Sequence, residues 1–162
     1  PPQPLTPVKL AEWLTSRPQT YSSHPRYSAR SSYRWTLWVP RQEIENRLKQ
    51  GESLGRILSV TVTGRADNGL VTKVFIQGTS GDHTVTADSI RTRLGGLRSN
   101  MFIVEPKMGL DGLPEYFIFY GGGWGHGVGM CQSGAAGMAA DGYNCEAILK
   151  HYYRGVELSK LY

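Results

Sequence analysis

The stretch GGGWGHGVGMCQSGAAGMAADG, from Gly121 to Gly142, constrains this chain more than any other. One histidine, His126, lies between two glycines, and a cysteine and a glutamine, Cys131 and Gln132, follow closely. Glycine reaches backbone conformations that side chains forbid, and it lets another chain or a ligand approach the backbone. The segment must therefore bend tightly, pack closely or receive something. It follows a run that reads as strand (115–120) and precedes one that reads as helix (130–140), with Gly142 beyond the helix end. A glycine turn at a helix N-terminus offers backbone N–H groups to an anion or a polar ligand. Neither nucleotide motif fits. A phosphate loop needs G-x-x-x-x-G-K-[ST], and no Lys occurs between Gly121 and Asn144; a dinucleotide fingerprint started at Gly123 and Gly125 puts Val128 where its third glycine belongs.

The rest of the chain supplies the setting. A length of 162 residues suggests one domain, and a 40% hydrophobic content suffices for a core. Alternating apolar residues Tyr33, Trp35, Leu37 and Val39 read as a strand, and Pro40 opens a short helix over 41–50 that carries Ile44 and Leu48 and stops at Gly51. Segments 56–66 and 70–78 read as a hairpin turned by Asp67-Asn68-Gly69, with a third strand at 82–86. Asp88 is placed to cap a helix carrying Ile90 and Leu94 and ended by Gly95-Gly96. Two more strands follow at 101–105 and 115–120. After the glycine-rich turn come the 130–140 helix, dense in small residues, and a last helix capped by Asn144 with Cys145, Ile148, Leu149 and Tyr152 on one face. The expected class is α+β: a mixed, mainly antiparallel sheet with short helices, and two C-terminal helices after the glycine-rich turn.

Residues 1–32, rich in Pro, Ser and Arg, read as an N-terminal arm or linker with helical pattern only at 8–14; the domain proper is expected at 33–162. No apolar run approaches a bilayer span. Pro1 stands first with no signal segment after it, so a processed product or an excised piece is expected.

The net charge of +5 favours anionic partners, yet the arginines are scattered: Arg26, Arg30, Arg34 and Arg41 form one loose group, Arg91, Arg93 and Arg98 another. Most of these residues read as solvated surface, and no basic–aromatic interleaving marks a nucleic-acid binder. His126 has three open roles: general acid or base, hydrogen-bond donor to a ligand, or a structural tie to backbone carbonyls. Cys131 with His126 is too local for a thiol hydrolase, whose histidine comes from elsewhere in the fold. His126, Cys131, Cys145 and His151 have zinc-ligand chemistry but no common finger spacing, and neither a metal nor another cofactor is expected. A Cys131–Cys145 disulfide depends on how the two helices meet.

The run GWGHGVGMCQSGAAGMAADGYNCEAILKHYYRGVEL resembles the C-terminal signature of the stage II sporulation protein D (SpoIID/LytB, amidase enhancer) family. That signature is close to G-x-G-H-G-V-G-[ML]-[SC]-Q-[YW]-G-A, followed by I-L-x-H-Y-Y-x-G. The upstream segments YRW (Tyr33–Trp35), SIRTRLG (Ser89–Gly95) and LRSNMF (Leu97–Phe102) fit the same family, and the resemblance covers about 33–158. It implies bacterial cell-wall work outside the cytoplasm, by lytic transglycosylases of peptidoglycan or by enhancers of amidases. The family's catalytic residue resembles a glutamate in a V-P-S-E-M-P-like segment, followed by an F-H-S-x-x-G-G-like block. Neither occurs here, and none of the chain's glutamates lies in such a context. Ser133 stands where the family has an aromatic residue. A lytic transglycosylase needs a tuned carboxyl to protonate the glycosidic oxygen.

The chain is therefore expected to be the C-terminal portion of such a domain. It would bind peptidoglycan glycan strands without a catalytic residue of its own. The substrate-binding residues expected are His126, Gln132, Trp124, Gly125, Gly127 and Tyr33, with Tyr27 another exposed aromatic. The alternative is a non-catalytic module that stimulates a cell-wall amidase. Expected partners are the glycan strands, an amidase or the missing N-terminal half, and not nucleic acid; the expected location is secreted, periplasmic or in the cell envelope.

Overall fold

The computed structural model describes residues 6–28, 30–48 and 54–159. In chain order the elements are α1 (Pro7–Thr15), a 3-10 turn (Tyr21–Ser23), α2 (Arg30–Tyr33), β1 (Arg34–Pro40), α3 (Arg41–Leu48), β2 (Ile57–Arg65), β3 (Val71–Gly78) and β4 (Asp82–Thr86). Then follow α4 (Ala87–Arg93), β5 (Phe102–Met108), β6 (Pro114–Gly122), α5 (Gln132–Ala140) and α6 (Cys145–Tyr152). Two antiparallel three-stranded sheets, ordered β1-β6-β5 and β2-β3-β4, make the chain an α+β protein. Among the described residues no helix is long and apolar enough to cross a membrane.

The described residues group into two compact units, 6–16 with 34–127 and 17–33 with 128–159. The first holds both sheets. In the β2–β3 hairpin, Val60 faces Ile76 and Val62 faces Val74. Gly69 takes φ +86° in its turn, and the Asn68 side chain accepts from the Leu70 N–H at 3.1 Å. The Arg65 guanidinium then crosses between the sheets, donating to the Gly69 carbonyl at 2.9 Å and to the Phe102 carbonyl in β5 at 2.7 Å. Burial lowers its pKa from the ordinary value. Between the sheets lie Val39, Ile57, Val74 and Ile76, with Phe102 and Phe119 in edge contact at 5.4 Å. Each such side chain contributes about 1.5–3 kcal/mol by leaving water. Helix α3 adds Ile44 and Leu48 to this core, and α4 adds Ile90 and, just beyond its end, Leu94.

Helix α1 joins the same unit through Leu10 and Leu14, both buried. The Arg34 guanidinium lies 4.0 Å from the Trp13 ring and donates to the carbonyls of Trp13 and Ser16, at 3.1 Å each. Residues 1–32, expected as an arm, thus hold α1 in the first unit and the 3-10 turn in the second.

Several boundaries differ from expectation. Helix α4 begins at Ala87, so Asp88 is its second residue and Thr86 holds the cap position without a side-chain bond. The end of the helix expected over 41–50 and its stop at Gly51 lie outside the described residues. Strand β6 runs on through Gly121, paired with Trp35 and Phe102, and Gly122, paired with Arg34. The first two glycines therefore belong to the sheet. A Cβ on Gly121 would run into the Trp35 indole, so this glycine serves close packing and not a bend.

The second unit packs α5 against the 3-10 turn. Helix α5 starts at Gln132, two residues later than the pattern suggests, because Cys131 is its N-cap. A Cβ on Gly137 would strike the Tyr21 carbonyl, and one on Gly134 would strike the Tyr152 hydroxyl. Small residues bring the helix to backbone-contact distance. Helix α6 is capped by the Asn144 side chain, which accepts from the Ala147 N–H at 2.9 Å.

Candidate functional site

The glycine turn leaves β6 under tight control. The Ser99 hydroxyl, on a buried residue, donates to the Gly122 carbonyl at 2.7 Å, and the Trp35 indole N–H donates to the Gly123 carbonyl at 2.8 Å. The Gly125 N–H then donates to the Arg98 carbonyl at 2.9 Å. Beyond β6 every second residue is a glycine with positive φ: +76° at Gly123, +125° at Gly125, +78° at Gly127 and +81° at Gly129. Side chains are excluded at these four positions by conformation. The residues between them carry the chemistry, and Trp124, His126 and Val128 are all exposed.

Trp124 is 68% exposed, and the Arg98 guanidinium carbon sits 5.1 Å from its ring centre. His126 is exposed and makes no hydrogen bond to any described residue. A Cβ at Gly123 or Gly125 would meet nothing within 4 Å, whereas one at Gly127 would come within 2.9 Å of the Leu70 side chain. The first unit therefore brings Trp124, Gly125, His126 and Gly127 onto one short, open segment. Sequence reading did not place Arg98 in this group. The signal was the adjacent buried pair Leu97 and Ser99, which fixes where Arg98 emerges. The neighbouring arginines are also engaged: Arg91 donates to the Leu97 carbonyl at 3.0 Å and Arg93 to the Arg47 carbonyl at 2.8 Å.

Gln132 and Tyr33 belong to the second unit. Gln132 is exposed in the first turn of α5. Tyr33 is half-buried; its hydroxyl donates to the Pro18 carbonyl at 2.8 Å and accepts from the Thr20 hydroxyl at 3.3 Å. It lines an open cavity of about 440 Å³ with Arg17, Gln19, Ser23, Pro25 and Ser28. Tyr27 is exposed, its ring 5.0 Å from that of His24.

Both cysteines are free thiols. Cys131 Sγ accepts from the Gly134 N–H at 3.4 Å and lies 3.4 Å from the Ser22 hydroxyl. That is the work of a helix cap, which serine performs at least as well. Tyr152 nearby has a raised pKa, first from burial and then from the charge that Cys131 would carry as thiolate. Among the described residues no three His, Cys, Asp or Glu side chains converge as metal ligands would. The glutamates of α3 serve structure: Glu43 pairs with Arg47 at 2.8 Å, and Glu45 pairs with Arg41 at 3.2 Å while accepting from the Ile57 N–H at 2.9 Å.

Residues 15–129 match the family described as "Domain of unknown function (DUF8618)". The chain belongs to that family. The DUF8618 match takes in both sheets and the glycine turn through Gly129. The chain is also similar to stage II sporulation protein D of Bacillus subtilis (strain 168), at 32% identity over 136 residues, 84% of this chain and 34% of that protein. Over a shorter stretch of 38 residues, 24% of this chain and 11% of the relative, it is 55% identical to stage II sporulation protein D of Bacillus amyloliquefaciens. An uncharacterized protein of Brachyspira hyodysenteriae is 32% identical over 125 residues, 76% of this chain and 32% of its own length. The relationship of this DUF8618 member to stage II sporulation protein D is thus distant but extends over most of the chain. The chain spans about a third or less of the length of these relatives.

Proposed function

We propose that this chain is the glycan-binding portion of a SpoIID-like cell-wall protein, acting on peptidoglycan outside the cytoplasm and supplying no catalytic acid of its own. The observation that carries the reading is the segment on which Trp124, Gly125, His126 and Gly127 are presented. Sugar rings offer a C–H face that stacks on an aromatic ring and hydroxyl edges that accept from an imidazole N–H or a backbone N–H. Alternating glycines keep other side chains out of the way of such a ligand. His126 acts here as a ligand donor, because its exposed ring has no described partner to tie the turn. In the second unit, Gln132, exposed at the start of α5, and Tyr33, which lines the open cavity there, are separate candidate contacts for a glycan strand.

Cleavage would need a carboxyl tuned to protonate the glycosidic oxygen. Glu43 and Glu45 are held by Arg47 and Arg41, and Glu146 by Lys150. The test is co-sedimentation of the purified chain with peptidoglycan sacculi, alongside mass spectrometry for 1,6-anhydromuramoyl products. Binding without product is expected. Turnover abolished by substitution of a glutamate in this chain would overturn the non-catalytic part, and absence from the pellet would overturn the glycan reading.

A second reading, stimulation of a cell-wall amidase by direct contact, draws on Val128 and Met130. These apolar residues are 71% and 39% exposed right after His126. Pulldown of a purified amidase in the absence of cell wall would favour it.

A further inference from the structure

The open cavity of the second unit measures about 440 Å³. Small-ligand sites span roughly 300–1,000 Å³. Its described lining residues all come from 17–33, a loop folded back on itself by its own hydrogen bonds. The Tyr33 hydroxyl donates to the Pro18 carbonyl at 2.8 Å and accepts from the Thr20 hydroxyl at 3.3 Å, which closes one side. The Ser23 hydroxyl donates to the Thr20 carbonyl and accepts from the Thr20 N–H, both at 2.8 Å. The N–H groups of Tyr27 and Ser28 both donate to the His24 carbonyl, at 3.1 and 2.9 Å. A wall held in this way loses little freedom when a ligand arrives.

Three lining side chains keep their polar groups in reserve. Among the described residues, those of Arg17, Gln19 and Ser28 have no hydrogen-bond or ion-pair partner. Pro25 and Tyr33 add apolar surface beside them, and a few convergent polar groups on an apolar wall are what a polar small ligand needs. The charge of the region has one sign. The sequence holds no Asp or Glu between Glu12 and Glu43, whereas Arg17, Arg26 and Arg30 fall within the loop. Arg26 lies 5.7 Å from the Tyr27 ring centre, and Arg17 is the cation that lines the cavity. An uncompensated guanidinium in a concave site favours an anion, and its planar fork fits a carboxylate with two parallel N–H donors.

We propose that this cavity is a carboxylate-binding subsite for the glycan strand, with the carboxylate on Arg17 and neighbouring sugar hydroxyl or acetamido groups on Gln19 and Ser28. Amide and hydroxyl both donate and accept, as those sugar groups do. The proposal rests on the glycan reading above and adds the group that is recognised. Peptidoglycan carries carboxylates in two places: the lactyl groups of muramic acid on peptide-free strands, and the attached peptides on intact ones.

The experiment is isothermal titration of the purified chain with three probes: peptide-free strands, the same strands with their lactyl carboxylates amidated, and the peptide released from intact strands. About tenfold tighter binding of native than of amidated strands is expected, shrinking as salt is raised, and identifies the lactyl carboxylate. Equal binding of the two strands together with binding of the released peptide identifies the peptide carboxylate. In either case Arg17→Gln should abolish the carboxylate-dependent part and leave the melting temperature unchanged, because the Arg17 side chain bonds to nothing in the fold. Ser28→Phe, which fills the cavity without altering charge, should have the same effect on binding. Equal binding of both strands with no binding of the peptide overturns the subsite and leaves the glycan reading intact; this comparison needs no variant. Failure of strands and peptide alike overturns both. Full carboxylate preference in a folded Arg17→Gln protein also overturns the subsite.

Discussion

The indole nitrogen of Trp35 donates a 2.8 Å hydrogen bond to the carbonyl of Gly123, and the same ring fills the space above Gly121 where a Cβ would stand. One buried side chain in β1 therefore sets both how closely β6 packs and where the glycine turn begins. Trp35→Phe removes the donor and leaves smaller packing behind. The expected cost is about 1–3 kcal/mol in urea unfolding. Gly121→Ala should cost a similar amount by forcing the ring aside. A loss below about 0.5 kcal/mol for both would show that Trp35 does not organise the turn.

The alternating glycines of the turn should not be equally sensitive. Gly123→Ala meets open space and carries only the backbone strain of φ +76°, about 1–2 kcal/mol. Gly127→Ala has nearly the same strain at φ +78° and also crowds Leu70 at 2.9 Å. Thermal unfolding should therefore rank Gly127→Ala as the more damaging. The reverse order would mean that the turn relaxes at Gly127.

Helix propensity and tertiary contact oppose each other in α5. Glycine to alanine inside a helix gains up to about 1 kcal/mol from the backbone. At Gly137 the new methyl would strike the Tyr21 backbone carbonyl, which cannot swing away as a side chain can. Gly137→Ala should thus destabilise by about 1–3 kcal/mol, and Gly134→Ala, facing the Tyr152 hydroxyl and Ser22, by less. Differential scanning calorimetry of both variants decides whether contact or propensity prevails.

Cys131 caps α5 through a sulfur, a weak acceptor. Cys131→Ser should leave the melting temperature unchanged or raise it slightly, and Cys131→Ala should lower stability by about 0.5–1 kcal/mol. Glycan binding should survive Cys131→Ser. Its loss in a folded Cys131→Ser protein would show that the thiol has chemistry of its own.

Helix α6 should respond to acid. The side-chain bond from Lys150 holds the Glu146 pKa below its ordinary 4.5, with the lysine's charge acting in the same direction. A depressed carboxylate pKa contributes stability that is present above 4.5 and lost as pH falls through the lower folded-state value. Backbone carbon shifts of Ile148–Tyr152, followed from about pH 7 to about pH 2, should report fraying of α6 at the acid end. The pair is exposed, so salt should weaken the effect, and Glu146→Gln should flatten it. An unchanged acid response in Glu146→Gln would assign it to another group.

Local pattern alone determined much of this protein. Strand β4 matches its expected limits. The β2–β3 hairpin was legible because valines alternate with threonines and Asn68-Gly69 can turn, and α6 because Asn144 caps a face of period 3.6. The glycines around His126 take the positive φ anticipated for them. Tertiary structure decided what period and propensity do not encode. Gly121 and Gly122 look like turn residues, yet they are strand: they pair with Trp35 and Arg34 of β1, Trp35 leaves no room for a Cβ at Gly121, and Arg34 and Leu14 would crowd one at Gly122. Arg98 looks like one of several scattered cations until the Gly125–Arg98 backbone bond sets it against Trp124, 26 positions away in the sequence. The physical reason is common to both. A close approach between segments remote in sequence depends on where two backbones meet, and only the packed chain brings them together.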